Sequence, residues 1–496
     1  MAPTSVRSLD MNKGGEAINI EQQDVTTIPV DYRPEILRQY SPEELRDIEK
    51  KLVRKLDFRC LPILIFLFLL NILDRNAIAN ARLGSLEEDL GLTDTQYQTA
   101  IMVLWAGYIT MMIPSNMLLS IFKPRIYLPT VVIIWGIVSG ASGFVQNFAG
   151  IVTIRFLVGV TEAPYFPGCI FFLSCWYKRS ELPFRIAIFY SGYTLSSAVG
   201  GLIAAGIIGN MDGVGGYASW RWLFIIEGIA TVVAAVPAYW LLPNYPTTTM
   251  WLSETERALA AHRLALEADN EEDEVNGNVW KGFRQCFADP KVWLLVLIQS
   301  CCTVGMSFTY FFPSIVQTLG YARVPTLLLT APPYIAAFLF SLFNSWHSAK
   351  TNERGWHIIA AMLLGAVGQI VGMTVTNVGG RYFAFCLASI GAFSAFQIIL
   401  SWVNSTIARP KSKRGVSIAL ATAVANCTNI STAYVYPKSD APMYRIGGSV
   451  LCACLAAGVI ASLGLKFWLW KLNKATDEKE RNQGVLGQVI SFRYVL

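Results

Sequence analysis

The feature that most constrains the fold of this chain is a series of about a dozen apolar segments, each long enough to cross a lipid bilayer as a helix. The hydrocarbon core of a bilayer is roughly 30 Å thick, and a helix needs about 20 apolar residues to cross it. Only 15% of the 496 residues are charged, whereas soluble domains carry roughly 25%. The sequence therefore predicts an all-α membrane protein with twelve transmembrane helices.

We number these predicted membrane helices span 1 to span 12 in chain order. Their expected bounds are 58–79, 96–118, 127–146, 150–173, 185–209, 220–242, 292–318, 325–346, 357–376, 381–403, 415–436 and 447–470. Basic residues gather in the N-terminal tail and in every second connection, while the other connections hold few. Because positive charge favours the cytoplasmic side, both termini are predicted to be cytoplasmic.

A polar, charged segment near the middle of the chain divides the spans six and six. Two six-helix halves with a substrate site between them at mid-membrane are typical of the major facilitator fold. The predicted division is a cytoplasmic tail, a first half, a cytoplasmic linker, a second half and a second cytoplasmic tail, at 1–56, 57–242, 243–290, 291–470 and 471–496. An acidic run from Glu267 to Glu274 in the linker is expected to be solvated.

Two sequences predict helix starts. Thr93-Asp-Thr-Gln96 and Ser253-Glu-Thr-Glu256 fit the capping box, in which a hydroxyl and a longer polar side chain satisfy free backbone N–H groups. The first would begin span 2, and the second a helix in the linker.

Several classes of function are disfavoured by the residues. The ten cysteines have neither metal-ligand spacing nor a framework of paired loops, so they are interpreted as small buried hydrophobes. No nucleophile–base constellation is present. We therefore predict a protein that is not an enzyme and has no metal or cofactor. We also predict that it binds no nucleic acid and acts as a monomer among membrane lipids.

Four motifs carry a resemblance to a known family. They are Leu73-Asp74-Arg75-Asn76 in span 1, Arg155 to Gly168 in span 4, Trp220 to Gly228 in span 6, and Lys413-Arg414-Gly415 with Tyr436-Pro437 around span 11. Together they resemble the anion:cation symporter family of the major facilitator superfamily, in its fungal allantoate permease branch. The resemblance implies a proton-coupled transporter of a small organic anion in the plasma membrane, such as a vitamin, ureide or acid sugar.

Charged residues inside the spans are the candidate functional residues, since a charge at the bilayer centre costs at least about 2.5–3.5 kcal/mol. At 1.5 Å per residue, Asp74 and Arg75 lie roughly 6–9 Å from the outer end of span 1. Arg155 lies at a similar depth in span 4. Glu162, seven residues further, lies about 10 Å deeper on the same face. The resemblance implies that these four groups line one cavity wall.

Each charged residue has two interpretations. Asp74 and Glu162 are predicted to couple transport to protons, because a buried carboxyl beside a guanidinium binds or releases a proton as its surroundings change. Arg75 and Arg155 are predicted to hold a substrate carboxylate, which the planar guanidinium fork matches. The alternative is that the acids and arginines form structural ion pairs, or that Arg75 extends to the outer interface.

The second half has no acidic residue in its spans. Its predicted substrate contacts are uncharged hydrogen-bonding side chains: Tyr310, Asn404, Asn426 and Asn429. The alternative is that they join helices to one another. In the first half, Glu227 is expected to form a structural bond between helices, Gly136 and Gly140 to allow a close helix crossing, and the prolines after Glu162 to bend span 4.

The favoured function is proton-coupled import of a small carboxylate by alternating access. The alternative is export of a fungal secondary metabolite by the same fold, because sequence does not set the direction of transport. A nutrient receptor that binds without transport is disfavoured, since the polar tails are short and offer no signalling domain.

Overall fold

The computed structural model describes residues 34–178, 181–269, 279–407, 411–482 and 493–495. Every regular element in these ranges is helical. Within the described part of the chain, ten helical segments are long and apolar enough to cross a membrane, and two further helices, spans 2 and 11, pack among them. The prediction of an all-helical bundle with twelve membrane spans is confirmed.

Most of the observed spans agree with their expected bounds to within a few residues. They are Pro42–Ala81, Asp94–Ile121, Pro124–Ala141, Phe148–Glu162 with Tyr165–Ser174, Leu182–Asn210, Ser219–Leu241, Pro290–Met306 with Phe312–Gln317, Arg323–Thr351, Gly355–Thr374, Val378–Thr406, Lys411–Thr432 and Arg445–Asn482. Spans 1 and 12 extend furthest beyond expectation, because their polar flanks consist of good helix formers that continue the helix past the apolar run. Two linker helices, Glu254–Asp269 and Val279–Ala288, connect the halves.

Both predicted capping boxes are confirmed. The Thr93 backbone N–H donates to Gln96 Oε1 at 2.9 Å, and the Gln96 N–H donates to Thr93 Oγ1 at 3.3 Å. Ser253 and Glu256 exchange the same pair of bonds at 2.9 and 3.1 Å. The acidic run expected to be solvated falls largely in 270–278, outside the described residues.

Spans 4 and 7 are interrupted within the bundle. Span 4 stops at Glu162 and resumes at Tyr165, with Pro164 between the two pieces. The predicted bend of span 4 stays a prediction. Span 7 passes through a 3-10 turn at Ser307–Tyr310 before its last helical piece. Such breaks free backbone groups that only a protein interior or a polar cavity can satisfy.

The spans form two halves around three hydrophobic clusters. One cluster belongs mainly to spans 1–6, one to spans 7–12, and the largest contains residues of both halves. We call the side with the start of span 1 and the end of span 12 the terminus side, and the opposite side the far side. The boundaries of the halves at 57–242 and 291–470 stay a prediction.

Glycines allow helices to cross closely at several points. A Cβ added at Gly228 in span 6 would lie 2.6 Å from Gly140 Cα in span 3, and one at Gly136 would meet Gly228 O at 3.2 Å. The predicted close crossing is therefore confirmed. On the far side, a Cβ at Gly201 in span 5 would lie 2.1 Å from Thr330 Oγ1 in span 8, so the two halves are in tight contact there.

Candidate functional site

The centre of the bundle contains a buried ion pair between spans 1 and 4. Arg75 Nη2 lies 2.9 Å from Glu162 Oε2, and Arg75 Nε lies 3.0 Å from the same oxygen. Arg75 also donates to Asn71 Oδ1 at 3.4 Å. The side chains are 9% and 0% exposed, so the pair is separated from bulk water in this conformation. The predicted cation and acid are brought together.

Span 4 is held against its neighbours on both sides of this pair. A Cβ at Gly159 would lie 2.0 Å from Leu104 O, so only glycine permits the approach of spans 2 and 4. Beyond the break, the Tyr165 hydroxyl donates to Leu64 O in span 1 at 2.9 Å. These contacts fix Glu162, the last residue before the break, opposite Arg75.

Aromatic side chains from both halves surround the Arg75 guanidinium. Its central carbon lies 5.0 Å from the Trp105 ring centroid and 5.1 Å from that of Tyr108, both in span 2. The phenols of Tyr193 in span 5 and Tyr310 in span 7 are close enough to interact electrostatically with it. We call Trp105, Tyr108, Tyr193 and Tyr310 the aromatic cluster. Cations are attracted to ring faces in this geometry.

Of the aromatic cluster, only Tyr310 was predicted from the sequence. Spacing is the signal that could have found Trp105 and Tyr108, since these residues are three apart and share one helix face. Tyr310 belongs to the second half, and its ring lies 6.5 Å from that of Trp105 in the first half. The cluster therefore closes the space between the halves around Arg75.

Arg155 lies behind the ion pair and bonds to the main chain of span 1. Its Nη2 donates to Arg75 O at 2.9 Å and its Nη1 to Asp74 O at 3.5 Å. The residue is 2% exposed. In this conformation its fork therefore holds span 4 against span 1, and the fork does not face a cavity.

Asp74 faces away from Arg75, toward spans 3 and 6. Its Oδ2 accepts hydrogen bonds from Trp135 Nε1 at 2.7 Å and from Thr231 Oγ1 at 3.1 Å. Asp74 is fully buried. Of the four charged groups expected to line one wall, only Arg75 and Glu162 are brought together. Asp74 points in another direction from Arg75 because successive residues on a helix point about 100° apart.

The predicted asparagines occupy different environments in the second half. Asn429 in span 11 is buried and Asn426 half-buried, whereas Asn404 is exposed near the terminus-side end of span 10. The Asn404 amide donates to Leu400 O of its own helix at 3.3 Å. The structure therefore does not bring Asn404 to the central ion pair.

Glu227 in span 6 differs from expectation. It is 3% exposed, and within the described ranges neither carboxyl oxygen has a hydrogen-bond partner. The prediction of a structural bond between helices is wrong. The error arose because a buried acid was assumed to have a donor on a neighbouring helix.

A narrow cavity lies between the halves, on the far side of the ion pair. Its lining residues come from spans 1, 5, 7 and 8, and several carry polar side chains: Asn76, Asn80, Ser197, Thr309, Thr330 and Tyr334. These side chains give a solute hydrogen-bonding partners between the two halves.

A group of charged residues joins the two halves on the far side. Lys438, in the connection before span 12, forms an ion pair with Glu87, in the connection after span 1. Arg82 lies 2.9 Å from both Glu87 and Asp94, and the Lys438 N–H donates to Asp94 Oδ2 at 2.9 Å. We call Arg82, Glu87, Asp94 and Lys438 the far-side latch. It closes the space between the halves at this end.

Twelve membrane spans in two halves, with a buried ion pair and polar side chains between them, define a multi-pass membrane transporter. The sequence matches the Major Facilitator Superfamily over residues 64–433. The chain belongs to that superfamily, whose members are transporters and not enzymes.

Similar proteins support this assignment over nearly the whole chain. The chain is 33% identical over 481 residues to the MFS-type transporter cnsO of Penicillium expansum, covering 90% of each chain. It is 31% identical over 461 residues to an uncharacterized transporter of Schizosaccharomyces pombe, covering 90% of this chain and 93% of the relative. A bacterial homolog of the human lysosomal transporter Spinster, solved inward-facing and unoccupied, has a TM-score of 0.64 at 16% identity, covering 86% of this chain and 97% of that chain.

Proposed function

We propose that this protein is a proton-coupled secondary transporter that imports a small organic anion by alternating access. The substrate class is a carboxylate such as a vitamin, ureide or acid sugar. The four motifs that resemble the anion:cation symporter family, in its allantoate permease branch, support this class. The proposed location is the plasma membrane, with the terminus side in the cytoplasm.

The observation that carries the proposal is the Arg75–Glu162 ion pair inside the aromatic cluster. Arg75 is a buried cation that aromatic groups of both halves reach, so a ligand that contacts it contacts both halves at once. A substrate carboxylate would compete with Glu162 for the guanidinium. Alternating access requires a ligand that both halves recognise.

Competition for Arg75 also explains how substrate and proton would bind together. When a carboxylate takes the guanidinium, Glu162 is left as a buried charge without its partner, which costs about 3–5 kcal/mol. Protonation of Glu162 removes that cost. Substrate binding therefore favours proton binding, and by thermodynamic linkage the proton favours the substrate.

The other predicted residues have supporting roles in this proposal. Tyr310 would hydrogen-bond the substrate from the second half, with Asn426 and Asn429 contributing from span 11 and Asn404 at the exit on the terminus side. Arg155 would contact substrate only in a conformation that releases it from the carbonyls of span 1. Asp74 would be a second proton-coupling group.

The test is uptake of labelled carboxylates by cells that express the protein, with and without a proton uncoupler. Nicotinate, pantothenate and allantoate are suitable first substrates. We expect concentrative uptake of one acid that the uncoupler abolishes. No uptake of any acid, together with resistance of the cells to an exported toxin, would contradict import and favour efflux.

Glu162→Gln tests the coupling step. With no titratable group opposite Arg75, the variant is expected to exchange substrate across the membrane but not to accumulate it. Glu254→Gln, at an exposed position of the first linker helix, is the matched control and should behave as wild type. Normal accumulation by Glu162→Gln would remove Glu162 from the mechanism.

A further inference from the structure

We propose that Glu227 is a proton-carrying residue, and that together with Asp74 it forms a second proton site on a different face of span 1 from the Arg75–Glu162 pair. The inference deepens the proposed function, and its role in transport rests on that function. Its chemical content, a proton held by Glu227 in the substrate-free protein, can be tested without transport.

The Glu227 carboxyl group lies in an environment that disfavours its charge. Glu227 is 3% exposed, and both of its oxygens are buried without a hydrogen-bond donor among the described residues. An ionised carboxylate in such a position would lose its hydration and gain nothing in return, at a cost of several kcal/mol. The neutral acid avoids that cost, so Glu227 carries a proton in this conformation.

Glu227 lies on the face of span 6 that packs against Asp74. Thr231 follows Glu227 by four residues, so the two side chains share one face of span 6. Thr231 Oγ1 donates to Asp74 Oδ2 at 3.1 Å, which places that face against span 1. Asp74 is also the charged neighbour that acts on Glu227. Two carboxyl groups in one buried layer are not ionised together, since like charges repel strongly in a medium of low dielectric.

Hydrogen bonding decides which of the two acids holds the proton. Asp74 accepts hydrogen bonds from Trp135 Nε1 at 2.7 Å and from Thr231, and such donors stabilise an ionised carboxylate. Glu227 has none. The asymmetry assigns the negative charge to Asp74 and the proton to Glu227.

The surrounding cations do not neutralise Glu227. Arg75 is paired with Glu162 at 2.9 Å, and Arg155 donates to the main-chain carbonyls of Asp74 and Arg75. From span 3, Trp135 lies against this layer, and its side chain carries no charge. Among the described residues, the charged neighbour that acts on Glu227 is therefore Asp74.

The experiment is infrared spectroscopy of the purified full-length protein in lipid nanodiscs at pH 7, without substrate or gradient. A protonated carboxyl group has a C=O stretching band that shifts when H₂O is replaced by D₂O. We expect this band in wild type and its loss in Glu227→Gln, which keeps the shape of the neutral acid. Glu162→Gln and the exposed control Glu254→Gln should retain it.

Asp74→Asn is the second variant. It should keep the band but move its frequency, because the neighbouring carboxylate has been removed. The proposal is overturned if wild type lacks the band, or if Glu227→Gln retains it. Absence of substrate accumulation in the uptake assay would contradict the proposed function and leave the band unaffected, so the two failures are distinguishable.

Discussion

Arg75 in span 1 donates from two nitrogens to a single oxygen of Glu162 in span 4, at 2.9 and 3.0 Å. The second oxygen of Glu162 is buried without a hydrogen-bond partner among the described residues. The pair is therefore incompletely satisfied, and one acceptor is left for a proton or a ligand donor.

Replacement of Arg75 by lysine should weaken substrate binding. A single ammonium cannot donate to Glu162 from two nitrogens and also present a planar group to Trp105 and Tyr108. We expect the KM for the acid identified by the uptake assay to rise by at least about tenfold, equivalent to about 1.4 kcal/mol. Arg54→Lys, at an exposed position of span 1, is the control. An unchanged KM for Arg75→Lys would contradict a role for Arg75 in binding.

Gly201→Ala should open the far side of the bundle. The added methyl group would lie 2.1 Å from Thr330 Oγ1 and 2.9 Å from Leu327 O, both in span 8. Such overpacking costs about 1–3 kcal/mol, which spans 5 and 8 relieve by separating. Gly206→Ala is the matched control, because nothing lies within 4 Å of its Cβ position.

The measurement for this variant is labelling of a cysteine at Asn80, which lines the cavity between the halves. The ten native cysteines are first replaced, and a maleimide that cannot cross membranes is added from the far side. We expect the labelling rate to rise at least about fivefold in Gly201→Ala, corresponding to about 1 kcal/mol. Equal rates in the two glycine variants would show that this contact does not hold the halves together.

Lys438→Gln should weaken the far-side latch, because it removes the ion pair with Glu87. The Lys438 side chain is 56% exposed, so the pair contributes at most about 1 kcal/mol and salt screens it. The same labelling assay should show an increase of about two- to fivefold at low salt and none at about 1 M salt. Lys471→Gln, exposed on the terminus side, should have no effect. A salt-independent increase would indicate altered packing instead.

Asp289 should make stability depend on pH at the start of span 7. Burial alone would raise its pKa, but hydrogen bonds from Lys413 Nζ at 2.6 Å and the Lys291 N–H at 3.0 Å, with the charges of both lysines, lower the pKa below its usual value. A lowered carboxyl pKa contributes stability above the pKa of the unfolded chain, and that stability is lost as pH falls through the folded-state pKa.

Asp289→Asn is therefore expected to lower the Tm of the purified protein at pH 7, with a loss of about 1–3 kcal/mol. The difference from wild type should shrink as pH falls below about 4. Asp47→Asn, whose side chain is 69% exposed, serves as the control. A constant difference across this pH range would show that the ionised state of Asp289 does not matter.

The fold and the depth of the charged residues could be predicted because both follow from counting along the chain. Apolar length sets the spans, and helical rise sets how deep Arg75 and Glu162 lie. The direction of each side chain could not be predicted, since it depends on the rotation of each helix about its axis. Asp74, next to Arg75 in the chain, therefore bonds with Trp135 in span 3.

The hydrogen-bond partners of buried polar groups could not be predicted from the sequence either. Arg155 binds main-chain carbonyls, which every residue has and no motif marks. The unpartnered state of Glu227 depends on the absence of a donor among the described residues of the neighbouring helices. Such an absence is a property of packing and has no local sequence pattern.

The bonds that fasten span 4 to span 1 limit how this transporter can move. Arg155 donates to Arg75 O on the far side of the break in span 4, and the Tyr165 hydroxyl donates to Leu64 O on the terminus side of it. While both bonds are in place, the two helices travel as one body when the halves rock, and the rocking alone does not pull Arg75 away from Glu162. Separation of Arg75 from Glu162 therefore requires a substrate or proton that binds at the pair. Without one, the pair stays intact whichever side of the membrane the transporter opens to.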